Sequence, residues 1–72
     1  MSKKQEDKLN SHMRELRARH RITQADLANK VGVSRQTIVA IEKGDYNPSV
    51  ALALRIASVF EASLEEVFWL SK

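Results

Sequence analysis

Between Thr23 and Glu42 the stretch TQADLANKVGVSRQTIVAIE reads as two short helices joined by a turn too tight to be a flexible linker, and no other stretch restricts the fold as much. Thr23 is a good N-cap, and Asp26 three residues later can reach back to the cap's backbone N–H, an acid standing where a capping box usually has Glu. Ile22 before the cap can pack on Leu27 as a hydrophobic staple, while Leu27, Ala28 and Val31 share one apolar face. Gly32 suits the left-handed conformation that ends many helices, so the first helix is expected to stop there. Ser34 then caps the next helix, Val33 and Ile38 supply a second staple, and Ile38 with Ile41 makes its buried stripe.

Small residues at fixed places give this pair the character of a helix-turn-helix. Ala28 lets the second helix cross close to the first, Gly32 turns without a Cβ penalty, and Ile38 and Ile41 wedge the pair onto the body. Counting from Gln24 as one, Ala falls at five, Gly at nine and branched apolar residues at fifteen and eighteen. With Ile38 and Ile41 turned inward, Arg35, Gln36, Val39, Ala40 and Lys43 are left outside. Arg can bridge O6 and N7 of guanine, Gln can bridge N6 and N7 of adenine, and a short apolar side chain can meet a thymine methyl. Arg35, Gln36, Val39 and Ala40 are therefore the candidate base readers, although Val39 and Ala40 equally suit plain helix filling.

Charge points the same way. From Met1 to Lys43 there are ten Lys or Arg against five Asp or Glu, whereas Gly44 to Lys72 has two against four. The basic half carries the two-helix motif, as a partner for a polyanion should. A chain of 72 residues is one domain and buries only about 60% of its unfolded surface, so its stability alone is modest. There is no Cys, and His12 and His20 could supply at most two metal ligands, so neither metal nor cofactor is expected. No nucleophile–base set, phosphate loop or paired-carboxylate pattern argues for an enzyme. No apolar run resembles a signal peptide or approaches a membrane span, and the expected location is the cytoplasm.

In chain order, residues 1–8 read as a flexible arm whose Lys3, Lys4 and Lys8 could touch phosphates or simply solubilise, and residues 9–72 as one domain. Leu9, Met13, Leu16 and His20 recur at helical spacing and predict helix one over Leu9 to His20. Turn formers in KGDYNPS place Tyr46 in a structured loop, and Ser49 caps helix four, VALALRIASVFE. One stripe of helix four, Val50, Ala53, Leu54, Ala57 and Phe60, is enough to cover the body, leaving Leu52, Ile56 and Val59 as a second row. Ser63 and Glu66 make a capping box for a short helix five, beyond which Trp69 and Leu70 remain. The surplus predicts a two-fold homodimer through Leu52, Ile56, Val59 and Trp69. The competing assignment puts Leu52 and Ile56 in the intramolecular core and Trp69 over helix one.

With ELR, TQADLA, VGVSRQTI, IEKG, YNPS, LRIA and SLEEVF in order, the chain resembles the Cro/CI-like (XRE) helix-turn-helix family of bacterial and phage repressors, especially its minimal single-domain members, over about Leu9 to Phe68. The resemblance implies an all-α, five-helix, lambda-repressor-like domain that binds double-stranded DNA, dimerises and places helix three in the major groove of a palindromic operator. It implies that Arg17 and Glu42 pair inside the fold. Through it Gln24, aided by the positive end of its helix, matches a phosphate contact, Tyr46 and Asn47 match loop positions against the backbone, and Ser34, Arg35, Gln36, Val39 and Ala40 match the recognition surface; Thr23, Ser34, Thr37 and Lys43 are expected on the DNA backbone as well. Family members often carry a long polar residue where Ala40 stands, so methyl or shape readout has more to carry here. No small-molecule ligand is expected. The reading is a sequence-specific transcriptional regulator acting as a dimeric repressor, and the alternative is an antitoxin or other protein-binding module built on the same domain.

Overall fold

The computed structural model describes residues 7–71. In order the elements are β1 (Lys8–Ser11), α1 (Met13–His20), α2 (Gln24–Val31), α3 (Arg35–Lys43), α4 (Val50–Val59), α5 (Leu64–Val67) and β2 (Phe68–Ser71). Each turn between helices is set by local chemistry. Thr23 Oγ1 accepts from the Asp26 N–H at 2.9 Å while Asp26 Oδ2 accepts from the Thr23 N–H at 3.0 Å, the complete capping box. Ser63 and Glu66 repeat it ahead of α5, and Ser49 Oγ accepts from the Leu52 N–H at the start of α4. Gly32 (φ 80) and Gly44 (φ 82) end α2 and α3 in the left-handed region that favours glycine. A Cβ at Gly44 would press only on the movable end of the Lys8 side chain, so it is the left-handed backbone that calls for glycine there.

The core sits where the five helices converge. Met13, Leu27, Ile38, Ile56 and Val67, one from each helix, are its largest fully buried side chains. Removing each from water contributes about 1.5–3 kcal/mol before the entropy of ordering is subtracted. Among the described residues no buried side-chain nitrogen or oxygen lacks a hydrogen-bond partner.

Three expectations are corrected. The domain is not purely helical: β1 and β2 form an antiparallel ribbon in which Leu9 faces Leu70 and Asn10 faces Trp69. Helix one accordingly starts at Met13 and not Leu9. Leu9 to Met13 is a spacing that either a helix or a strand can tolerate, and pairing with Phe68–Ser71 decides it, continued by the His12 N–H donating to the Val67 carbonyl at 2.8 Å. Lys8 belongs to this ribbon and not to an arm, its side chain lying over Gly44 at the carbonyl end of α3; Lys3 and Lys4 lie outside the described residues.

The third correction concerns α4. Leu52 is 5% and Ile56 0% exposed, so both belong to the intramolecular core and neither can form a dimer interface without opening the fold; Val59 is half-buried against the same core. Val50 (71%) and Leu54 (51%), expected inward, face out. A helix apolar nearly all round does not declare its inner face by periodicity; packing of Leu52, Ala53, Ile56 and Ala57 into the shared core fixes it. Beside that face Arg55 Nε donates to the Val31 carbonyl at 3.3 Å, satisfying a last-turn acceptor of α2.

Candidate nucleic-acid interface

The α2–α3 pair is held at its corner by hydrogen bonds from the Gly32 and Val33 N–H groups to the Ala28 carbonyl, at 2.8 and 3.0 Å. Ser34 Oγ then accepts from the Thr37 N–H at 3.2 Å and lies 3.0 Å from Thr37 Oγ1, which closes the first turn of α3. Ile38 and Ile41 point into the core. That rotation leaves Arg35, Gln36 and Lys43 exposed and Thr37, Val39 and Ala40 half-buried at the edges of the same outer surface. Thr23 at the start of α2, with Tyr46 and Asn47 after α3, is likewise exposed.

Beneath this surface α1 is tied to α3. Arg17 Nε donates to Glu42 Oε2 at 2.7 Å and Arg17 Nη2 to Glu42 Oε1 at 3.1 Å, a two-pronged pair between side chains 17% and 4% exposed. Glu42 Oε1 also accepts from Gln24 Nε2 at 3.1 Å. Gln24, expected on phosphate, is thus already bonded inside the protein, linking the start of α2 to the end of α3. The Glu42 carboxylate has three donors at close range and carries no uncompensated charge toward the surface.

Arg14, Arg17, Ile22, Thr23, Gln24, Val39, Glu42, Arg35 and Lys43 line one open groove of about 820 Å³. Arg14, Arg35 and Lys43 make no hydrogen bond or ion pair to any described residue. A groove with three uncommitted cations and one carboxylate already neutralised will concentrate an anion. Arg14 was missed from the sequence, although it stands one helical turn before Arg17 and so shares its face. At the rim, Asp26 has its carboxyl held below the usual value, first by the Thr23 backbone N–H and then by the Thr23 hydroxyl, with Lys30 adding a smaller pull. Among the described residues no group of three His, Asp or Glu could hold a metal ion, and no helix is long and apolar enough to cross a membrane.

A helix-turn-helix family model, HTH_3, matches residues 13–67, from the first residue of α1 to the last of α5. The HTH-type transcriptional regulator YgzD of Bacillus subtilis is 50% identical over 64 residues, covering 89% of this chain and 97% of its own. An HTH-type transcriptional regulator of Methanocaldococcus jannaschii is 60% identical over 52 residues, covering 72% and 79%. Among solved structures, the restriction-modification controller protein C.AhdI of Aeromonas hydrophila superposes with a TM-score of 0.70 at 30% identity, over 75% of this chain and 82% of its own. The transcriptional regulator VanUg superposes with a TM-score of 0.80 over 99% of this chain and 95% of its own, at 18% identity, a likeness of fold alone.

Proposed function

We propose, on the premise that the chain belongs to the HTH_3 helix-turn-helix family of transcriptional regulators, that it is a dimeric repressor reading a near-palindromic DNA operator in the cytoplasm. The observation that carries this reading is the outer surface of α3. Its inward residues are fixed by the core, and its exposed Arg35 and Gln36 stand beside a groove that concentrates anions. In this reading α3 enters the major groove, Arg35 and Gln36 hydrogen-bond base edges, and Val39 and Ala40 meet thymine methyls. Thr23, Ser34, Thr37, Lys43, Tyr46 and Asn47 lie along the sugar–phosphate walls. Gln24 positions α2 through Glu42 while its helix N-terminus approaches a phosphate.

Dimerisation in this reading uses the apolar side chains that remain exposed once the core is complete: Val50 and Leu54 on α4, and Trp69 and Leu70 on β2. A two-fold pair sets two α3 helices about 34 Å apart, one turn of DNA. Selection of bound sites from random duplexes tests both parts. A recovered motif with two inverted half-sites one turn apart is the expected result, and recovery of no motif would reject sequence-specific binding. Sedimentation of Leu54→Glu, which leaves the core intact, should show a monomer where the wild type sediments as a dimer.

A further inference from the structure

The helix-turn-helix proper begins at α2, yet one of the three uncommitted cations of the basic groove comes from α1. Arg14 is exposed, has no described acceptor, and lines the same groove as Arg35 and Lys43 of α3 and Thr23 and Gln24 of the α2 start. Arg17, one turn further along the same helix, is consumed by Glu42, so the two arginines have divided the work between fold and surface. The side chains proposed to read bases project from the outside of α3, whereas Arg14 reaches the same groove from a different helix, off the recognition surface, as a group that positions rather than reads would.

From this placement we infer that Arg14 contacts a backbone phosphate of the bound DNA, making α1 a second docking element beside the helix-turn-helix and setting the angle at which α3 enters the groove. The inference rests on the DNA-binding reading above. A phosphate contact neutralises charge without reading sequence, so it has a signature distinct from that of Arg35.

The test is the salt dependence of binding by the full chain, on the selected site and on an unrelated duplex. Arg14→Gln should weaken both by the same factor, roughly tenfold at low salt, leave the selected consensus unchanged, and lower the slope of log K against log salt by about 0.9 per bound chain. Arg14→Lys, which keeps the charge, should restore the slope. Arg19→Gln removes an equal charge from the other side of α1, where Arg19 lines a separate groove, and should leave the slope as in the wild type. An unchanged slope in Arg14→Gln, a consensus altered at a single base pair, or an equal loss in Arg19→Gln each overturns the inference. Should Arg14→Gln unfold, duplexes with one phosphate at a time replaced by neutral methylphosphonate give the same answer. Some substitution must then weaken the wild type while sparing Arg14→Lys no more than it spares the wild type, and absence of any sensitive phosphate on the α1 side overturns the proposal. A wild-type chain that retains no duplex at any salt overturns the underlying reading, whereas wild-type binding with a slope indifferent to Arg14 overturns this inference alone.

Discussion

Helix α1 stands between two grooves of similar size and opposite character. On one side lies the groove of about 820 Å³ with Arg14, Arg35 and Lys43 uncommitted and its one carboxylate neutralised. On the other, a groove of about 670 Å³ is lined by Glu15, Glu61, Glu65 and Glu66 with Arg19, and its two histidines rest against rings, His12 4.3 Å from Trp69 and His20 5.3 Å from Phe60. Concavity therefore does not choose the partner. The commitment of charge does: where a carboxylate faces the basic groove it is consumed by Arg17 and Gln24, while on the acidic side, among the described residues, only Glu66 is drawn off, into the cap of α5. A polyanion approaching such a molecule is attracted to one flank and repelled by the other, so orientation is set before any base is read.

The most severe way to break this contrast is to remove the compensation beneath the basic groove. Glu42→Leu strands Arg17, and Arg17→Met strands a carboxylate only 4% exposed, so each should cost about 3–5 kcal/mol. Urea denaturation measures it, and a wild-type midpoint in either variant would show that the pair does not support the fold.

A smaller effect sharpens the contrast. Arg35→Ala should weaken specific binding by about 1–3 kcal/mol and relax preference at one base pair, whereas Glu65→Lys on the far groove should leave the selected consensus unchanged and alter stability by no more than about 0.5 kcal/mol. Site selection with both variants decides. A new consensus from Glu65→Lys would mean that the acidic flank also meets DNA.

The smallest effect lies at the rim. Asp26 loses its proton more readily in the folded chain than at its ordinary value of 3.8, so its stabilisation is present above that value and is lost as pH falls through the lower, folded one. Thermal melts of the wild type should fall across that acid window more steeply than those of Asp26→Asn, and the two should run parallel near neutrality.

The helix-turn-helix was readable from the sequence because its determinants act over three or four residues. The Thr23–Asp26 box, the Ser34 cap and the left-handed Gly32 are local hydrogen bonds and dihedral preferences, and they stand where the residues predict. The Arg17–Glu42 pair joins positions 25 apart and came from family resemblance, since no periodicity could pair them. What escaped depends on choices that only the assembled fold makes. The ribbon needs Leu9 and Leu70 side by side from distant parts of the chain, and the inner face of α4 is selected by packing against the other helices rather than by its own pattern. The engagement of Gln24 with Glu42 escaped for the same reason. Reading α4 by period alone exchanged Leu52 and Ile56 with Val50 and Leu54, and that single rotation carried the dimer assignment with it.

The ribbon also imposes an order in time. Contacts of α2 with α3, and of α4 with α5, join segments close in sequence and can form quickly, but β1 must find β2 across nearly the whole described chain. During synthesis Lys8–Ser11 leaves the ribosome early, while Phe68–Ser71 is still to be made. Until β2 arrives, β1 is a strand without its partner, an open edge with which the strand of another chain can pair.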